Sequence, residues 1–90
     1  MAIGLIFQGT GVTPEQYQQV LDQVCPDNHP PPGMLYHVAG PGEEGMIVVD
    51  VFESPEALQR FEEQLRQARQ QANITDHQVT IFPIINTMQP

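Results

Sequence analysis

Residues 46–55 read Met-Ile-Val-Val-Asp-Val-Phe-Glu-Ser-Pro, and this stretch constrains the fold more than any other. Six of its first seven residues are apolar, and Ile47, Val48, Val49, Val51 and Phe52 favour a strand. A strand with one wet face alternates polar and apolar side chains. This one does not, so both of its faces are expected to be covered. It runs into Glu53-Ser54-Pro55-Glu56, where Ser54 can cap a helix and Pro55 suits the first turn. A central strand feeding a capped helix is the organising unit.

Upstream, residues 2–7 are apolar apart from Gly4 and predict a first strand, followed by the turn-prone connector Gln8-Gly9-Thr10-Gly11. Thr13-Pro14-Glu15-Gln16 starts a helix with capping-box spacing. Tyr17, Val20, Leu21 and Val24 recur at i, i+3, i+4 and i+7, which is one buried stripe. The helix stops near Cys25, because Pro26 and the prolines at 30–32 cannot continue it. That stiff run predicts a loop crossing an end of the sheet. Residues 34–39 form a second strand, joined by the hairpin loop 40–45 to the strand at 46–52.

The second helix runs from Pro55 to about Ala72, with Leu58, Phe61, Leu65, Ala68 and Ala72 as its apolar stripe. Glu56–Arg60 and Glu62–Arg66 have the favourable i, i+4 spacing on its wet side, and Asn73 is a plausible terminator. A fourth strand is predicted at 79–85, and Pro83 inside it marks an edge. The order is β-α-β-β-α-β in one domain spanning 1–90, an α+β ferredoxin-like arrangement. Right-handed crossovers put both helices on one face of a four-stranded antiparallel sheet. The other face is apolar and uncovered, so a homodimer packed through the open sheet faces is expected.

Eleven acids against three arginines and no lysine give a formal net charge of −8. That opposes nucleic-acid binding, which needs clustered basic residues, and anionic membrane surfaces for the same reason. No apolar run is long enough to span a bilayer. The apolar start lacks a basic flank and a cleavage site, so it reads as a strand and not as a signal peptide. A lone Cys25 has no internal disulfide partner, and a reducing cytoplasm is the expected setting.

Asp50 is an acid inside an apolar strand. It is either a general base or the orienter of a histidine, or an acid solvated near a strand end. His37 lies on the hairpin partner, and a loop centred near Gly42 brings it close to residues 48–50. A His37–Asp50 pair suits proton transfer; otherwise His37 is structural. Tyr17 and Tyr36 can line a cavity or serve as core bodies with a wet hydroxyl. Tyr36 and His37 point to opposite faces of the sheet, so one pocket does not take both. His29, His37 and His77 match no standard zinc spacing, and no metal is expected. Gly40-Pro41-Gly42-Glu43-Glu44-Gly45 lacks the lysine and the context of a phosphate loop, and no cofactor is expected.

The element order, together with Gly33-Met-Leu-Tyr-His-Val-Ala-Gly-Pro41 and Gly45-Met-Ile-Val-Val-Asp-Val-Phe-Glu-Ser-Pro-Glu-Ala57, resembles the dimeric α+β barrel superfamily. Within it the chain is similar to small bacterial proteins related to the antibiotic-biosynthesis monooxygenases. The resemblance implies a dimer whose sheets form a barrel, with a cavity in each subunit between sheet and helices. The superfamily includes cofactor-independent oxygenases of aromatic polyketides, haem degraders and isomerases. The chain has no tryptophan, Ile47 and Phe52 stand where larger aromatics are expected, and the haem degraders' Asn, Trp and His set has no counterpart. No catalytic set carries over as a unit.

The function expected is therefore binding of a small apolar or aromatic molecule, with cofactor-free oxygenation or isomerisation as the reaction. His37 would be the base and Asp50 its orienter. Phe7, Tyr36, Phe52, Phe61 and Leu65 would contact the ligand. The alternative is a non-catalytic structural or protein-interaction dimer. A pocket holding the polar pair separates the first reading from the second.

Overall fold

A computed structural model describes all residues, Met1–Pro90. The elements in order are β1 (Ile3–Thr10), α1 (Pro14–Val24), a short 3-10 turn (Pro26–Asn28), β2 (Met34–Pro41), β3 (Gly45–Phe52), α2 (Pro55–Gln71) and β4 (His77–Pro83). The helix starts follow their caps. Thr13 Oγ1 accepts the Gln16 N–H at 3.1 Å, and the Gln16 side chain accepts the Thr13 N–H at 2.9 Å. Ser54 Oγ accepts the Ala57 N–H at 3.1 Å. Such a cap stabilises its helix by about 1 kcal/mol. Beyond α2, Asn73 adopts φ 60°, the left-handed conformation that ends a helix.

The four strands lie in the order β2-β3-β1-β4, and every neighbouring pair is antiparallel. This is the ferredoxin-like α+β arrangement, with Pro83 on the edge strand β4. All four strands differ from the sequence reading at their ends: β2 and β3 run to Pro41 and from Gly45 into the expected loop, and β1 and β4 shift further. β1 extends to Thr10, because Gln8, Gly9 and Thr10 pair with β3 instead of turning away. β4 starts at His77, opposite Gly9, and ends at Pro83, so it lies two residues earlier than expected. Lengthening β1 is what gives His77 and Gln78 a ladder to join.

Burial along β3 alternates strictly, which the apolar sequence hides. Met46, Val48, Asp50 and Phe52 are buried beneath the helices, while Ile47, Val49 and Val51 are half-buried on the other face. Within one chain only the helix face is fully covered. On that face the core forms two clusters. One joins Leu5, Cys25 and Phe52 to Ala57, Leu58 and Phe61. The other joins Val12, Val20 and Met46 to Ala68, Ala72 and Ile74. Between Phe52 and Met46 stand Asp50 and Val48, which belong to neither cluster.

The hairpin β2–β3 is pinned at its closed end. Gly45 sits at φ 153°, and a Cβ placed on it would run into the carbonyl oxygen of Gly9 on β1. Only glycine lets β1 and β3 approach there. At Gly40 on β2 an added Cβ would meet nothing within 4 Å. Gly45→Ala should therefore lower stability by about 3 kcal/mol, combining backbone strain with overpacking. Gly40→Ala should change it by about 0.5 kcal/mol or less. Urea unfolding of the two variants checks the contrast, and equal midpoints would remove this role for Gly45.

Candidate active site

β2 and β3 pair with His37 directly opposite Asp50, and paired residues point to the same side of a sheet. This register runs unbroken from the hairpin end, Pro41 opposite Met46, to Tyr36 opposite Val51, and Leu35 is an extra residue beyond it that brings Met34 opposite Phe52. Asp50 is 4% exposed. Its Oδ1 lies 2.5 Å from His37 Nδ1. On the far side of the ring, His37 Nε2 lies 2.6 Å from the Tyr17 hydroxyl. The two rings are within 10° of parallel, with centroids 6.1 Å apart.

The partners fix the protons. An ionised carboxylate only accepts, so His37 Nδ1 carries an N–H, and in the neutral ring Nε2 is then the acceptor. The Tyr17 hydroxyl then donates to Nε2. The result is a directed chain from Tyr17 through His37 to Asp50, drawn from α1, β2 and β3. Burial pushes the Tyr17 phenol above its usual value near 10, and the Asp50 and Cys25 charges act in the same direction. Tyr17 therefore stays protonated at neutral pH, as a donor. Burial, with Asp50 second, also pushes the Cys25 thiol up, so it is no ready thiolate nucleophile.

The chain of three opens onto a cavity of about 220 Å³ between sheet and helices, whose lining is mostly apolar. The whole stripe of α1 lines it: Tyr17, Val20, Leu21 and Val24. Phe7, Phe61 and Leu65 form further wall, as the sequence led one to expect. Two expected contacts lie elsewhere. Phe52 is fully buried and packs on Phe61 in the core at a centroid distance of 5.6 Å, so it is support and not wall. Tyr36 is 58% exposed on the opposite sheet face, one pleat away from His37.

Three features escaped the sequence reading. Tyr17 was legible as a stripe residue, but nothing in the sequence paired it with His37. Asn28, His29 and Pro30 from the proline-rich loop join the cavity lining. Glu62 pairs with Arg69 and not with Arg66, and both members of that pair line the cavity. Helical spacing allows i, i+4 and i, i+7 partners on one face alike, and only the packing of α2 chose between them.

No protein-family model matches the chain, and no curated protein matches its sequence. Solved structures do. Rv0793 from Mycobacterium tuberculosis superposes with a TM-score of 0.73 at 13% identity, covering 99% of this chain and 100% of that one. SnoaB, a cofactor-independent oxygenase from Streptomyces nogalater, gives a TM-score of 0.64 at 14% identity over 99% of this chain and 96% of that one. The ActVA-Orf6 monooxygenase of Streptomyces coelicolor, solved with nanaomycin D, gives 0.59 at 13% identity over 99% and 91%. These likenesses establish the fold, which this chain shares with the antibiotic-biosynthesis-monooxygenase-like proteins. In addition, no helix is long and apolar enough to cross a membrane.

The hydrogen-bonded chain carries a spectroscopic signature. In 15N-labelled protein, the neutral His37 ring should show the Nδ1–H tautomer, and Asp50→Asn should abolish its dominance, because an amide can donate to Nδ1. The Tyr17 phenol should ionise above pH 10 by ultraviolet difference absorbance, and the same substitution should lower that value by removing a charge. Since the folded value is the higher one, the stability linked to Tyr17 is whole below about pH 10 and is lost as pH rises through the shifted value. A His37 ring in the other tautomer, or a Tyr17 phenol indifferent to Asp50, would break the chain as described.

Proposed function

We propose that this protein is a homodimeric, cofactor-independent enzyme that binds a small apolar or aromatic molecule between its sheet and helices and removes a proton from it. The observation that carries the reading is the Tyr17–His37–Asp50 chain ending in a mostly apolar cavity. A filled core with His37 and Asp50 at the surface would have favoured a structural role. The fold shared with a cofactor-independent oxygenase and with a monooxygenase holding nanaomycin D supports the same direction.

His37 Nε2 is the base. A substrate that displaces the Tyr17 hydroxyl from Nε2 presents its acidic C–H or O–H there, and Asp50 holds the ring in the accepting tautomer and stabilises the imidazolium that forms. Tyr17, kept protonated, turns its O–H to the substrate oxygen on which negative charge develops. With dioxygen as co-substrate, the electron-rich carbanion reduces it. A CH2 group then becomes C=O, one oxygen atom staying in the product and the other leaving as water. Without dioxygen, return of the proton to another carbon is an isomerisation.

The open sheet face supports the dimer. Tyr36 and Val38 are 58% and 47% exposed there, beside half-buried Ile6, Ile47, Val49 and Val51. An apolar face of this kind is covered in a stable soluble protein, and a second copy offers a matching one. Sedimentation should give twice the chain mass of 10.1 kDa. Val49→Arg, which adds a charge at the centre of that face, should give the single-chain mass. A wild-type monomer would remove the dimer from the proposal.

Anthrone, whose ring CH2 is acidic, is a direct probe of the chemistry. The protein should accelerate dioxygen uptake and anthraquinone formation, and His37→Ala should slow kcat/KM by roughly 10²–10⁴-fold, the usual worth of a general base. Deuterium exchange at the CH2 under nitrogen should respond in the same way. No acceleration over buffer in either assay, or full activity in His37→Ala, would sink the enzymatic reading.

A further inference from the structure

α2 turns a second polar group into the cavity wall. Arg60 and Arg66 are exposed, whereas Arg69 lines the cavity with its side chain only 12% exposed. Glu62, Leu65 and Arg69 lie at i, i+3 and i+7, on one face of the helix, and all three line the cavity. Arg69 Nη2 donates to Glu62 Oε1 at 2.5 Å, and Nη1 donates to Oε2 at 3.3 Å. A carboxylate thus lies on two arms of the guanidinium fork.

This placement calls for a reason. The chain carries three cations against eleven acids, and an exposed i, i+4 partner for Glu62 was available at Arg66. A surface pair of that kind costs nothing in desolvation, whereas drawing a guanidinium towards an apolar wall does. Glu62 takes two of the five N–H donors of Arg69, and no other protein group accepts from it. Glu62 is also the looser member of the pair, at 34% exposure, and can turn into solvent.

We infer that Arg69 is the anion-recognition residue of this cavity, and that its ligand is an apolar ring system bearing a carboxylate, which replaces the Glu62 carboxylate on the Arg69 fork. The inference rests on the reading of the cavity as a binding site for an apolar molecule and narrows it to acids. The apolar lining takes the rings. Arg69 selects the ionised group and orients the ligand. Glu62 neutralises the arginine until the ligand arrives, which also excludes other anions that bring no ring system to repay its displacement.

The test uses 1,4-dihydroxy-2-naphthoate and its methyl ester as probes, kept reduced under nitrogen and titrated calorimetrically against the full chain. The acid should bind the wild type at least about tenfold more tightly than the ester. Arg69→Gln should erase that preference by weakening the acid and leaving the ester within about twofold. Glu62→Gln, which removes the competing charge, should tighten the acid several-fold and leave the ester unchanged, and it needs no change at Arg69. Equal affinity of acid and ester in the wild type, or an acid preference untouched in both variants, overturns the role of Arg69 and leaves the apolar cavity reading standing. If neither probe binds, both fall.

Discussion

The interaction on which the rest of the structure depends is the pairing of the Asp50 carboxylate with His37. β3 presents four side chains to the helices, and three of them are apolar. The fourth is a buried acid. An unpaired ion at that depth costs several kcal/mol, so apolar neighbours cannot simply close over it. The His37 ring takes the carboxylate directly, and the Tyr17 hydroxyl takes the other side of the ring. The apolar packing divides into a cluster on either side, and the cavity opens where the two fail to merge. One polar residue in one strand thus accounts for the pair, the split core and the space beside them.

Stability does not explain why such a pair is kept. Replacing a buried ion pair by well-packed apolar side chains is often neutral or stabilising. What apolar residues would not provide is a nitrogen base with a fixed tautomer, an attached phenol donor and an apolar chamber in front of them. In the function we propose, these are the components of proton transfer to or from a substrate that water solvates poorly. The same contrast applies to Arg69, a cation placed at an apolar wall although a surface partner was available to its glutamate.

The strand that carries Asp50 also serves two environments at once. Its even-numbered side chains build the core and the site, while Ile47, Val49 and Val51 face the other way on an apolar sheet surface. The strand has no polar side to give up, because neither face was meant for water in the dimer we propose. Gly45 lets β1 and β3 approach at the end of the sheet where β3 leaves the β2–β3 hairpin.

The sequence by itself determined the element order, both helix caps, the apolar stripes and the edge position of Pro83. All of these follow from interactions within a few residues, namely capping hydrogen bonds, helical periodicity and the missing N–H of proline. It also pointed to His37 and Asp50 as residue types out of place in a strand. Whether they share a face was beyond it. A slip of one residue moves a side chain to the other side of a sheet, and the register that the hairpin end imposes is not fixed by the residues of either strand. Tyr17 and His37 are twenty residues apart and meet only because α1 packs over β2 and β3. The exclusion of Phe52 from the cavity wall, and the choice of Arg69 over Arg66 by Glu62, were likewise decided by tertiary packing, whereas the separation of Tyr36 from His37 follows from strand alternation alone. Pairings between distant elements depend on how those elements lie together, and composition and spacing carry no record of that.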